Sequence, residues 1–294
     1  MSALPLVLAL LCAATFAVSS SIQHQAAEGA PDSGVLGLLG YLIRRPEWIL
    51  GQFLAACAFA LHAGALHSGP IAVVQPIVVS GIVWAVPARA ALSRRLPSLD
   101  ELWAVLVTAG GLAVFLVASN PTAGTDAGTG LGTIALLLAG VAVAGAANLT
   151  ASRMQDPRRK AFFLGVVGGV LFGLVAGMLK LSLQALDAGG LGAMLTAWPT
   201  YGLLLAGAGG VLTNQRAYRT AGLSASMPVL NIVNGLTSLA IGFTIFSEVP
   251  RHSPLFLAIE AAALGCMAVG LWMLVRLQED RQGSVDETAA SDRS

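Results

Sequence analysis

The chain has 294 residues, of which 56% are hydrophobic and only 11% charged, with a mean hydropathy of +0.78. A water-soluble domain of this size carries about a quarter charged residues, so these charges are too few to clothe a globule. A net charge of +1 gives no reason to expect a nucleic-acid partner.

Charges sit in short clusters between long uncharged stretches, the pattern of a chain solvated by lipid. Crossing the hydrocarbon core takes about 20 apolar residues. Stretches of that kind run over Ala3–Ile22, Trp48–Leu66, Pro70–Leu92, Leu102–Ser119 and Leu131–Thr150. Ala161–Ala185, Pro199–Ala217, Ala225–Phe246 and Pro254–Leu277 follow. The expected fold is an all-α polytopic bundle of about nine transmembrane helices. The run 34–43 is too short to span and ends in Arg44-Arg45-Pro46, so it reads as an interfacial segment; a ten-helix count would need it. Ala3–Val18 resembles a signal-peptide core, but no Lys or Arg precedes Arg44, which favours a retained helix.

Alternating the spans puts fourteen of the sixteen basic residues on one side, with Arg251 on the other and Lys180 inside a span. Basic residues stay in the cytoplasm. The expected topology is therefore N-terminus outside and C-terminus inside, in a bacterial plasma membrane. The expected division is a first repeat over 1–127, a second over 128–277, and a disordered cytoplasmic tail over 278–294.

The repeats rest on one alignment. Residues 65–76 (ALHSGPIAVVQP) match 217–228 (AYRTAGLSASMP) without gaps, each joining one span to the next and each ending in the proline of a helix entry, Pro76 or Pro228. One copy falls on the outer side and the other on the cytoplasmic side, so the halves are inverted. That arrangement is a signature of secondary transporters.

Further residues carry a resemblance. Ser20-Ser21-Ile22-Gln23-His24 closes the first span, and Gly69-Pro70-Ile71-Ala72-Val73-Val74-Gln75-Pro76 opens the third. Gly173 to Lys180 adds to these, as does Pro228 with Ser247-Glu248 about twenty residues on. With these the chain resembles the drug/metabolite transporter superfamily (EamA-like), and within it the actinobacterial proteins related to NIPA-type magnesium transporters. The resemblance implies a transporter and leaves the substrate open. Two features depart from the superfamily pattern. The first half lacks one of five helices, and Arg94-Arg95 stand where an acidic residue often ends the proline-led helix, a place held by Glu248 in the second half.

No phosphate loop, His-Glu metal motif or nucleophile elbow occurs, so an enzyme is not expected, nor a cofactor. Cys12, Cys57 and Cys266 lie singly in apolar segments. The informative residues are polar ones placed in lipid, because a charge there costs about 2.5–3.5 kcal/mol. Lys180 lies about 28 Å along its span and Glu260 about 9 Å into its own, at 1.5 Å per residue. Both therefore fall in the outer third, where they form a pair or gate, or each snorkels separately to the interface. Asn231, Asn234 and Ser238 share a helix face, with Thr237 beside them, and line a cavity or bond a neighbouring helix. Gln75 and Ser80 hold the matching stretch of the first half. Gly165, Gly169, Gly173 and Gly177 recur every fourth residue, with Lys180 and Gln184 continuing that face, as a packing groove or as room for a cavity. His24 and His67, at helix ends, are expected to be solvated.

The candidate substrate-binding residues are thus Lys180, Glu260, Asn231, Asn234, Ser238 and Gln75, with Glu260 the metal ligand if a cation is carried. The expected partners are membrane lipid and a small-molecule or cation substrate; a homodimer is compatible with them. A metabolite transporter fits the neutral, amide-bearing lining, and a magnesium pathway fits the resemblance. A non-transporting scaffold or accessory subunit would pack the same polar stripes dry.

Overall fold

The computed structural model describes residues 3–28, 41, 43–81, 83–84, 97–119, 130–248 and 253–291. Apart from short turns and caps these are helical, with no strand among them. The helices are α1 (Leu4–Glu28), α2 (Pro46–Ser68), α3 (Ile71–Val79) and α4 (Leu99–Ser119) in the first half. They are α5 (Leu131–Arg153), α6 (Pro157–Thr196), α7 (Trp198–Thr244) and α8 (Pro254–Ser291) in the second. Six of them, α1, α2, α4, α5, α6 and α8, are long and apolar enough to cross a membrane. Large apolar side chains stand well exposed on the outside of the bundle, Phe53, Val117, Leu131 and Leu205 among them, as lipid-facing side chains do. The expected interfacial run 34–43 lies outside the described residues apart from Tyr41 and Ile43, and so does 85–92.

Local chemistry sets the helix starts. Pro46 and Pro157 occupy the first helical turn, where no backbone donor is lost. Asp156 accepts a hydrogen bond from the Arg158 N–H, 3.0 Å. Ser98 and Glu101 form a reciprocal capping box at the start of α4, the Ser98 N–H donating to the Glu101 carboxylate at 2.9 Å.

Helix α7 is 47 residues long, about 70 Å if straight at 1.5 Å per residue, more than twice a hydrocarbon core. It is not straight. Gly202 rests on Met178, Gly207 on Val175 and Gly210 on Phe172, so its first part runs antiparallel to α6. Beyond that, Gly165 faces Ser226, Gly169 faces Leu230 and Val233, Gly173 faces Thr237 and Gly177 faces Ile241, so its last part runs parallel to α6. Ala217 packs with Leu164 and Ser226 lies against Gly165, which confines the reversal to residues 218–225. The stretches 199–217 and 225–246 thus run as two antiparallel segments, the first and second pass of α7.

The forty residues of α6 are broken at Gly189 (φ −153°, ψ 20°) and Gly190 (φ 70°, ψ −166°). The positive φ of Gly190 is the conformation that a side chain disfavours. On α8, helical turns continue to Ser291, past the expected end of the last span at 277.

The bundle is built from an α1/α2 pair, an α4/α8 pair and the α5–α6–α7 group, and the nine-residue α3 sits among them. It touches α1, α2, α4, α6 and α7. All of its residues but Val78 are buried, and Pro76 lies inside it. A proline removes the donor of one helical hydrogen bond. The helix gives way at Ser80, whose N–H donates to the Pro76 carbonyl.

Candidate functional site

The four-residue glycine repeat of α6 decides where the site forms. A Cβ built on Gly165 would come within 2.7 Å of the Ser226 carbonyl oxygen, and one on Gly169 within 2.7 Å of the Leu230 carbonyl oxygen. On Gly173 it would meet the Thr237 Cβ at 2.5 Å, and on Gly177 the Ile241 Cγ2 at 2.7 Å. The glycine stripe is therefore a packing groove filled by the second pass of α7, with backbones close enough for direct contact. That contact leaves no room for a cavity at these four positions.

Lys180 is next on that face, just beyond the last glycine. The second pass ends at Thr244, and the chain then turns through Ser247, whose φ of 51° is the one positive value of a non-glycine among the described residues. The Glu248 N–H reaches back to the Gly242 carbonyl at 3.0 Å. This fold-back returns the Glu248 side chain into the bundle, where it is fully buried.

Three donors converge on that carboxylate. The Ile71 N–H donates to Oε1 and the Ala72 N–H to Oε2, each at 2.8 Å, and Lys180 Nζ donates to Oε1 at 2.6 Å. Lys180 also donates to the Gly69 carbonyl at 3.1 Å, and its ammonium lies 4.7 Å from the centre of the Phe246 ring. Ile71 and Ala72 are the first residues of α3 after its N-cap Pro70. Their N–H groups would otherwise be orphaned, and the helix dipole there favours negative charge. The buried charges neutralise one another, and the short distances are those of charge-assisted hydrogen bonds.

This corrects the pairing drawn from the sequence. Lys180 meets Glu248, not Glu260. Glu260 is 6% exposed on α8, and its Oε1 has no hydrogen-bond partner among the described residues. The rise per residue fixes axial depth, but depth says nothing about which neighbour a side chain faces.

The polar stripe of α7 divides. Asn231 lines a cleft of about 50 Å³ between α3, the second pass and α8, together with Pro76, Gly235, Leu239, Leu264 and Leu271. Asn234 and Ser238 lie outside that lining; the Ser238 hydroxyl is 3.4 Å from the Asn234 Oδ1, and Ser238 is fully buried. Gln75 is buried on α3 and does not reach the cleft either. Its Nε2 stands 3.1 Å from the ring Nε2 of His62, a buried residue of α2. If the amide donates, the imidazole nitrogen facing it must be the unprotonated one. Ser80 bonds the Ile77 carbonyl.

Glu248 and His62 are the residues that residue-by-residue reading passed over. Glu248 had a signal in its spacing from Pro228, though it lies just past the apolar run. His62 had one too, as an imidazole about one turn inside the end of the span 48–66. His67 lies half-exposed beside Asp187 of α6, 3.4 Å from it, rather than simply in solvent.

No protein-family model and no solved structure matches the chain. It is 30% identical over 249 residues to an uncharacterized protein of Corynebacterium glutamicum, an alignment covering 83% of this chain and 85% of that one. Identity at that level, sustained over most of both chains, shows common descent and a shared fold. The chain belongs to the same protein family as this Corynebacterium glutamicum relative.

Proposed function

We propose that the protein is a secondary transporter that carries a small solute across the plasma membrane by alternating access. The observation that carries this reading is the buried carboxylate of Glu248, which ends the second pass of α7 and holds the opening turn of α3. The two helices run antiparallel, with Ile71 beside Gly242 at one end and Pro76 opposite the cleft face of Asn231 and Gly235 at the other. Each lies in a proline-bearing stretch of one half. Such a crossing of inverted, proline-interrupted helices is where transporters of this architecture bind and gate.

In this reading Lys180 and Glu248 close the outer side between the halves, and the cleft beneath them is the approach to the midplane. Releasing Glu248 from the α3 N-terminus would free α3 to move with the first half, while the glycine groove keeps α6 and the second pass together. About nine passes, an outer N-terminus and a cytoplasmic C-terminus go with this proposal, as do inverted repeats over 1–127 and 128–277. So does membership of the drug/metabolite transporter superfamily.

The test is reconstitution of the full chain in proteoliposomes. These are loaded with an isotope-labelled bacterial metabolite extract plus Mg²⁺, with and without a pH gradient, and efflux is read by mass spectrometry. At least one solute should leave faster than from equally loaded, protein-free liposomes, and Glu248→Gln should slow it. Protein that is folded and inserted yet moves nothing under either condition is a scaffold.

A further inference from the structure

We infer that His62 binds the proton whose movement drives transport, and that its contact with Gln75 carries the effect of that proton to α3 and the cleft. The inference deepens the transport reading by naming its coupling ion, and it rests on that reading.

The argument starts from placement. His62 is buried on α2 and Gln75 on α3, and their two Nε2 atoms stand 3.1 Å apart. An ionisable side chain buried within a span is costly, and such residues mark proton and substrate pathways together with the partners they face. Gln75 lies one turn past Ile71, whose N–H the Glu248 carboxylate holds, and directly before Pro76, which lines the cleft. Helix α3 is thus held by the second half at its first turn and by α2 one turn later.

The contact can exist in two states. A neutral imidazole accepts from the Gln75 amide through Nε2. That form suits the conformation described, in which His62 makes no ion pair among the described residues. A proton on Nε2 turns the nitrogen into a donor, and two donors then face each other. The amide must rotate to present its oxygen, or α3 must draw away from α2 and let water reach the ring. Either change acts on the residue beside Pro76, so the state of the ring is read at the cleft wall. A ring that takes its proton in the displaced conformation favours that conformation, and a solute bound in the cleft alters the hold on the proton in return. Over one cycle the ring takes a proton from water on one side and returns it to water on the other.

The ionisable groups on neighbouring helices do not offer this coupling. Towards the same end of the bundle α1 brings the buried thiol of Cys12, and α3 brings none. Helix α6 brings Lys180, bound to Glu248 and the Gly69 carbonyl, and Asp187, beside His67. Glu260 is buried on α8, but its Oε1 has no hydrogen-bond partner among the described residues, so no contact of that atom changes with a proton.

The test uses the full-length chain and two readouts. In proteoliposomes with the labelled metabolite extract at equal concentration inside and out, a gradient of about one pH unit should drive at least one solute up to about tenfold out of balance, the limit for one proton per solute. His62→Gln should abolish that imbalance while labelled solute still exchanges across the membrane. The second readout is nitrogen-15 NMR in detergent micelles of protein carrying His24→Gln, His67→Gln and His252→Gln, which leaves His62 as the only imidazole. Its Nε2 should be unprotonated at about pH 8 and protonated at about pH 5, the range over which histidine switches charge. An imbalance that survives His62→Gln, or that Glu260→Gln removes instead, overturns the inference. So does a ring that stays neutral over that range, even where solute equilibrates, and the transport reading then stands alone. A ring that takes its proton in a protein that moves no solute would remove the transport reading, and with it the coupling.

Discussion

Ile71 and Glu248 are 177 positions apart, yet the carboxylate of one is the N-terminal cap of the helix that begins with the other. The same carboxylate holds Lys180, so its loss strands two N–H groups and leaves the ammonium with the Gly69 carbonyl but no counter-charge. Loss of Lys180 leaves the carboxylate still bound to α3.

The two single substitutions should therefore differ. Glu248→Ala should destabilise the protein by about 3–5 kcal/mol, the usual cost of breaking a buried ion pair from one side. Lys180→Met should cost less. The double variant should be no worse than Glu248→Ala alone, because the two residues act as one unit. Unfolding in mixed micelles of rising SDS fraction measures all three. Equal single losses that add would show that the α3 cap contributes nothing.

The glycine groove predicts a steric series. Gly169→Leu and Gly173→Leu push a branched side chain into the second pass and should cost at least about 1–3 kcal/mol, the range for overpacking. Gly110→Ala and Gly145→Ala meet nothing within 4 Å and should be close to neutral. The same SDS titration, with size-exclusion profiles, separates the two groups.

Cysteine accessibility should divide the polar stripe as the cleft does. In a background lacking Cys12, Cys57 and Cys266, a cysteine replacing Asn231 should react with a water-soluble methanethiosulfonate. Cysteines replacing Asn234 and Ser238 should react far more slowly. Fast reaction at Ser238 would mean that water reaches a position that is fully buried here.

The doubling back of α7 can be tested by topology. An epitope inserted after Ala221 and a reporter after Arg281 should be found on the same, cytoplasmic side, and a tag before Ala3 on the other. A tag after Ala221 that is reached from outside intact cells, with the Arg281 reporter still protected, would undo the hairpin.

Much of this arrangement was legible in composition and spacing. Apolar runs located the helices, and the period-four glycines marked a close approach of two backbones. Lys180 stood out as a charge in lipid. Its partner did not, for a physical reason. The rise per residue gives how deep a side chain lies, while its neighbour depends on rotation about the axis and on which helices pack together. Glu260 matched Lys180 in depth and faces elsewhere. By hydropathy Glu248 lies past the end of its span, and only the left-handed turn at Ser247 brings it back inside. No pattern of hydrophobicity announces such a turn at a serine. The single long helix α7 posed the converse case: hydrogen-bonded turns continue from Trp198 to Thr244, and the break in hydropathy around Arg216 and Arg219 marks the reversal better than the backbone does.

Gly242 offers a handle on the buried pair that leaves its charges alone. A Cβ there would stand 2.5 Å from the Glu248 Oε2 and 3.5 Å from the Ile71 Cβ, inside the seam where the carboxylate meets α3. One added methyl group is thus a wedge. Gly242→Ala should prise the acid from its backbone donors while both ionisable side chains stay present, so that steric and electrostatic contributions to closure can be told apart. If the seam is the point at which the two halves part, a protein wedged open at this glycine would be caught part-way through its stroke.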